Sequence, residues 1–331
     1  MRLVDSMLVL DGHSDSLIRR RNDGQPLELV SANPLYHVDL PRLRQGGVDC
    51  LFCMVGDSDL GVSLELIDAA HQMCSNYEEL TLCTDALSIR EAHATGKLAI
   101  VLSIESQMMF DERIEHLRNW HRLGMRMASL THGGGLGKPE LQFTPAYFGY
   151  LSESERDILR RRSAGLTPFA HDALHELSRL HVPVDLAHCN DTAFWDAIEH
   201  ATGPICYSHG ACYALCPHSR GLTDEMMRAL AAKGGVMGIA FYRGFIHAED
   251  PTLERLIDHF IHALEVMGED HVGIGSDFDG VPRWSDPIPA DVSALEDVFQ
   301  ALSARGVKRL EMEKIASGNF LRLLPTEGRL F

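Results

Sequence analysis

Short, β-branched apolar runs recur along the chain, separated by longer stretches in which apolar residues return every three or four positions. Eight runs predict strands: Met7 to Asp11, Val48 to Val55, Leu98 to Ile104, Arg126 to Leu130, Val182 to Ala187, Pro204 to Tyr207, Gly235 to Phe241 and His271 to Gly275. The intervening segments carry helix signals. After Gly165, Thr167 reads as an N-cap and Pro168 as the first helical residue, and Phe169, Ala173, Leu174, Leu177 and Leu180 then fall on one face. Strands that are apolar nearly throughout must be buried on both sides, which calls for a parallel sheet covered by helices. Eight such units predict an α/β fold, a (β/α)8 TIM barrel, as one domain over residues 1–331.

A doubly wound open sheet is the rival architecture. It is disfavoured because neither a G-x-G-x-x-G turn nor a G-x-x-x-x-G-K-[ST] loop follows a predicted strand. Two connections, Leu17 to Gln45 and Gly133 to Leu166, are long and carry Pro145, Tyr147, Phe148 and Tyr150, as expected of loops covering a site above the barrel.

Composition narrows the function classes. The 331 residues include 47 acidic and 30 basic side chains, for a formal charge of −17, so nucleic acid and anionic membranes are poor partners. No apolar run reaches the roughly 20 residues that a membrane span needs, and Met1-Arg2-Leu3-Val4-Asp5 lacks a secretory h-region. A cytoplasmic chain is expected. The eight cysteines are therefore read as reduced, buried thiols. Cys50 and Cys53 sit three apart on a predicted strand and face opposite ways, so they do not clamp a metal, and Cys212 and Cys216 are read in the same way.

The informative pattern is where metal-type ligands fall. Strand one ends in Asp11-Gly-His13-Ser-Asp15, strand three in Glu105, strand four in His132, strand five in His188, strand six in His209 and strand eight in Asp277-Phe-Asp279. All lie at C-terminal strand ends, the rim on which catalytic groups of this fold converge. A lone histidine there is ordinarily structural, but six strand ends agree. His13 and Asp15, two apart, share a face in an extended segment. Three imidazoles (His13, His188, His209) and three carboxylates (Asp15, Glu105, Asp277) exceed the three protein ligands typical of one catalytic zinc. Two Zn2+ per chain are expected, with Glu105 as the bridge.

At these residues the chain resembles the membrane (renal) dipeptidase family of the amidohydrolase superfamily. The matching blocks are Asp11-Gly-His-Ser-Asp15, Leu130-Thr-His132, Gly165-Leu-Thr-Pro-Phe169, Val184-Asp-Leu-Ala-His188, Tyr207-Ser-His209, Gly273-Ile-Gly-Ser-Asp-Phe-Asp-Gly280 and Gly318-Asn-Phe-Leu-Arg322. They run from the first strand to the last helix. The resemblance implies that His13, Asp15 and Asp277 hold one zinc, that His188 and His209 hold the other, and that Glu105 bridges. It further implies that His132 contacts the substrate near the scissile carbonyl, that Arg220 binds the substrate's terminal carboxylate, and that Tyr242 is an aromatic beside the pocket. Without the resemblance, Arg220 reads as a surface arginine in a helix-capping loop. The chain departs from the family in carrying Ser106-Gln107 after Glu105, where Gly-Gly is usual, and Gly133-Gly134-Gly135 after His132, where Asn-rich sequence is common.

The expected activity is zinc-dependent hydrolysis of small dipeptides, including L-Xaa-D-Xaa, by a hydroxide bridging the metals. His132 would stabilise the oxyanion, and Asp277 would move the proton to the departing amine. Two alternatives remain. One is another binuclear amidohydrolase acting on a non-peptide amide or a lactone, although the strand-four lysine common in such enzymes is missing here. The other is a non-catalytic metal-binding barrel. Barrels of this kind often form homodimers, and that assembly is expected by analogy.

Overall fold

The computed structural model describes residues 2–56, 59–105, 110–132, 150–281 and 287–327. Ten strands are present among them: β1 (Leu10–Ser14), β2 (Cys50–Met54), β3 (Leu80–Leu82), β4 (Leu98–Glu105), β5 (Met125–Ser129), β6 (Val184–Asp185), β7 (Ile205–Cys212), β8 (Gly221–Leu222), β9 (Val236–Ile239) and β10 (Val272–Ile274). All pair in parallel, in the order β1-β2-β4-β5-β6-β7-β9-β10. These are the eight predicted runs. The two extra strands lie outside the predicted runs; β3 pairs with the start of β4, and β8 with the end of β7. The ring closes between β10 and β1 just beyond the strands, where Asp277 N donates to His13 O (3.2 Å) and Asp15 N to Phe278 O (3.0 Å). The fold is a (β/α)8 TIM barrel.

Strand alternation divides the core in two. Leu98, Ile100, Leu102 and Ile104 of β4 pack outward under the helices, while Ala99 and Val101 join Leu10, Cys50, Phe52, Met127, Cys206 and Val236 in a cluster inside the barrel. Cys50 and Cys53 fall in different clusters, as strand geometry requires. Phe320 plugs the bottom of the barrel: a Cβ on Gly12 or Gly273 would lie 2.8 or 2.6 Å from its ring, so these glycines make the room it fills. With the bottom closed by packing, inward-facing polar residues can gather only at the other end. Following Ala99 and Val101 on the same face are Ser103 and then Glu105.

The helix Pro168–Arg179 starts as predicted, with Thr167 accepting from Ala170 N and Pro at its first turn. Two expected loops are more structured than their composition suggested. The segment Leu17 to Gln45 contains most of the helices Ser16–Asn22 and Leu40–Gly46, and Gly133 to Leu166 contains the helix Glu153–Arg162. Their charged, Pro-containing sequences hide short helices that are stabilised by caps, such as Asp39 on Arg42 N and Ser152 on Glu155 N. Pro145, Tyr147, Phe148, Ser106, Gln107 and Gly133 to Gly135 lie outside the described residues.

Candidate metal centre

Glu105 ends β4 on the inward face, and four histidines surround its carboxylate. Its Oε1 lies 2.8 Å from His188 Nε2 and 3.3 Å from His209 Nε2. Its Oε2 lies 3.7 Å from His13 Nε2 and 3.8 Å from His132 Nε2. His13 Nε2 is also 3.6 Å from Asp15 Oδ2. Asp277 completes a compact group with His13 and His209, whose rings stack at 3.8 Å. His209 thus belongs to both groupings, since its Nε2 is also 3.1 Å from His188 Nε2. The six candidate ligands come together from strand ends far apart in sequence.

The local backbone that aims them is irregular. The pairing of β1 with β2 shifts between Asp11 and Ser14, so a simple alternation from Leu10 does not decide where His13 points. Asp15 is not extended, as the sequence argument assumed. It is the first cap of the helix Ser16–Asn22 (φ −92°, ψ 18°), and helix entry rather than strand alternation brings it beside His13. His188 (φ 67°) and Asp277 (φ 62°) both occupy the left-handed region, a strained conformation that persists where surrounding contacts enforce it.

Those contacts include two buried aspartates that sequence reasoning passed over. Asp11 accepts from Ser276 N (2.9 Å), from the Ser276 hydroxyl and from His13 N (3.3 Å), tying β1 to the residue before Asp277. Asp185 does the same for the opposite side of the ring. The available signal was an acidic residue inside an otherwise apolar strand run. Asp279 is also buried, but it accepts from His37 N (2.7 Å) and the Ser16 hydroxyl (2.7 Å) and lies 3.9 Å from Arg20. It braces the loops.

The donor set fits a divalent cation by three observations. Both ring nitrogens of His13 and Oε1 of Glu105 are buried without a partner in hydrogen-bonding geometry. The 3.1 Å separation of His188 Nε2 and His209 Nε2 is close to the about 3.3 Å that two nitrogens take on one tetrahedral zinc. Electrostatics agree. Burial and the charges of Asp15 and Glu105 push Asp277 up, and Glu105, Asp15 and Asp277 together outweigh burial to push His13 up as well. Three carboxylates crowded in one cavity call for positive charge. Burial, with Arg220 second, holds His188 down at about 3, and burial lowers His209, so both imidazoles stay neutral and keep a lone pair to offer.

Around this cluster stand the proposed substrate contacts. His132 is at the rim, its side chain 53% exposed. Arg220 is buried, with Nη1 at 3.1 and 2.9 Å from the ring nitrogens of His188, Nη2 donating to His209 O (3.0 Å) and Nε unpartnered. No carboxylate among the described residues lies within ion-pair distance of it. Its place is the wall of the site, not the surface. Tyr242 is buried and packs edge-on against Phe245 (4.8 Å), which in turn lies 5.4 Å from the Arg220 guanidinium. His218, whose Nδ1 accepts from Arg220 N (3.1 Å), braces that arginine, whereas His247 accepts from Glu249 N and Asp250 N and caps its own loop.

The sequence model of the membrane dipeptidase family, peptidase family M19, matches residues 1–328. The chain belongs to this family. Among curated relatives, dipeptidase tcpJ of Claviceps purpurea is 30% identical over 95% of this chain and 76% of its own length. Human dipeptidase 3 is 28% identical over 97% of this chain, which spans 65% of that relative. A metallopeptidase from Rhodobacter sphaeroides, solved with a phosphinate mimic of the dipeptide L-Ala-D-Ala, superposes with a TM-score of 0.79. It is 24% identical, and the match covers 96% of this chain and 98% of that one. The family is one of metallopeptidases that hydrolyse dipeptides. No helix among the described residues is long and apolar enough to cross a membrane.

Proposed function

We propose that this dipeptidase-family hydrolase works with two zinc ions held by His13, Asp15, Asp277, His188 and His209 and bridged by Glu105. The observation that carries the reading is the Glu105 carboxylate. One oxygen faces His188 and His209 while the other faces His13, so the two oxygens address two sets of ligands. When bound, zinc supplies Lewis acidity, polarising a carbonyl and making water acidic enough to attack it at neutral pH.

The chain's own residues do the rest. Arg220 reads the substrate's free carboxylate: a buried guanidinium with no carboxylate beside it among the described residues is costly until an anion arrives, and its unpartnered Nε is a free donor. A longer peptide would present a neutral amide there, which limits the substrate to dipeptides. His132, exposed at the rim beside Glu105, donates to the oxygen on which charge develops. Asp277 takes the proton of the attacking water at a carboxylate oxygen and passes it to the departing amine. Tyr242 and Phe245 form the apolar wall beside Arg220. A reducing, cytoplasmic location belongs to this reading, supported by eight cysteines that are all free thiols.

Elemental analysis of the purified protein, with hydrolysis of L-Xaa-L-Xaa and L-Xaa-D-Xaa dipeptides before and after chelation, tests the scheme. Two zinc ions per chain and chelator-sensitive cleavage, sparing N-blocked and C-amidated analogues, are expected. Two zinc ions without dipeptide cleavage would move the substrate to another amide or a lactone. Absence of bound metal, unrestored by added zinc, would overturn the mechanism.

A further inference from the structure

Asp185, the last residue of β6, is fully buried, and both of its carboxylate oxygens are saturated. Oδ1 accepts from Ala187 N (3.0 Å) and Ser208 N (2.8 Å), while Oδ2 accepts from the hydroxyls of Ser129 (2.7 Å) and Ser208 (2.6 Å). These four donors lie on three neighbouring segments. Ser129 ends β5 three residues before His132, Ala187 immediately precedes His188, and Ser208 immediately precedes His209. One side chain therefore ties together the three strand ends that carry three of the site's histidines.

Counting protons along this chain fixes the state of His209. The Ser208 hydroxyl has one proton, and the 2.6 Å contact with Asp185 uses it, because the carboxylate has none to give. The same Ser208 oxygen lies 2.8 Å from His209 Nδ1. With its proton spent, the hydroxyl can only accept there, so Nδ1 must carry the hydrogen. Nε2 is left with its lone pair aimed at the cavity, toward Glu105 Oε1 at 3.3 Å and His188 Nε2 at 3.1 Å. The bond made by one ring nitrogen of a histidine decides what the other can do.

The serine's position is itself enforced. The pairing of β7 with β9 shifts between Tyr207 and Gly210, and the Ser208 carbonyl enters the space beside Gly238 and Gly275, where a Cβ would lie 1.9 or 1.8 Å from it. Only glycine at both positions leaves room for that backbone.

We infer that Asp185 and Ser208 are positioning residues that hold His209 as its Nδ1–H tautomer and keep its Nε2 ready for a cation before any cation arrives. This rests on the metal reading for its purpose, but the tautomer can be measured without it. The experiment is NMR of the full-length, 15N-histidine-labelled protein, as purified and after chelation, with the His209 signals assigned by their loss in His209→Gln. It is paired with zinc affinity measured by chelator competition for wild type, Ser208→Ala, Ser208→Thr and Asp185→Asn.

In the wild type, the His209 proton is expected at Nδ1 with and without metal. Ser208→Ala, which removes only the hydroxyl, should shift the proton toward Nε2 and weaken zinc binding by about 10- to 100-fold. Ser208→Thr, which keeps the hydroxyl, should restore both. Nε2 protonation in the chelated wild type, or an unchanged tautomer and affinity in Ser208→Ala, would overturn the inference. Failure of the wild type to take up zinc would sink the metal reading, while the NMR result would still decide the tautomer.

Discussion

Gly280 sits against the candidate site, and its replacement by alanine is the sharpest available perturbation. A Cβ there would lie 2.1 Å from Asp15 Oδ2 and 2.2 Å from Asp277 Oδ1. Carbon and oxygen need roughly 3.2 Å, so each carboxylate must retreat by about 1 Å. Neither can do so through its backbone. Asp277 N is bonded to His13 O and Asp15 N to Phe278 O, at the seam that closes the barrel. The side chains must rotate off their preferred torsions, at about 1 kcal/mol each, and the fold as a whole should lose about 1–3 kcal/mol, as overpacked sites do. The larger effect is local. A methyl group wedged between the two carboxylates removes them from one ion, so Gly280→Ala should lose one of the two proposed zinc ions. A ligand displaced by 1 Å predicts a fall in kcat/KM of about 100-fold or more. Metal analysis, thermal unfolding and dipeptide hydrolysis on the same preparation separate these effects. A Gly280→Ala protein that keeps two zinc ions at wild-type affinity would refute the assignment of Asp15 and Asp277 to a common ion.

Arg220→Gln should raise KM for free dipeptides and lower kcat/KM by about 30- to 1,000-fold, the loss of a buried charge-assisted pair, with little change toward C-amidated analogues; an equal loss on both substrates would contradict carboxylate recognition. Phe320→Ala opens a cavity at the bottom of the barrel and should cost about 3–5 kcal/mol in urea unfolding while zinc content at permissive temperature stays unchanged, separating the plug from the site. His259 donates from Nε2 to Ile246 O (3.0 Å) and accepts at Nδ1 from Cys212 N (3.0 Å), so it must be neutral, and burial holds it down at about 4. Its contribution is complete above the ordinary histidine pKa of about 6.5 and is lost as pH falls toward 4, by roughly 2–3 kcal/mol at pH 4.5. His259→Gln should flatten the fall in stability between pH 7 and 4.5 by that amount, and an unchanged slope would show that His259 does not titrate with folding.

The eight barrel strands were legible because each falls in an apolar run bounded by turn or helix signals, and the candidate ligand positions because all sit where such a run ends. What the chain did not disclose is how those ends are aimed. Strand alternation predicted that His13 and Asp15 share a face, yet a register shift and a helix entry bring them together. Local pattern describes a strand only while it remains regular, and the residues of this site lie where regularity stops: at two positive-φ positions, two register shifts and a seam closed by loop hydrogen bonds. Asp11 and Asp185 were invisible for the same reason. Each looks like a polar interruption in a buried strand, an apparent defect under the hydrophobic pattern, and becomes intelligible only when serines from neighbouring strands are seen donating to it. An acid within an apolar strand, shortly before a candidate ligand, is thus a sequence signal in its own right. Burying that charge is too unfavourable unless several donors are fixed around it, and fixing those donors is what holds the neighbouring ligands in place.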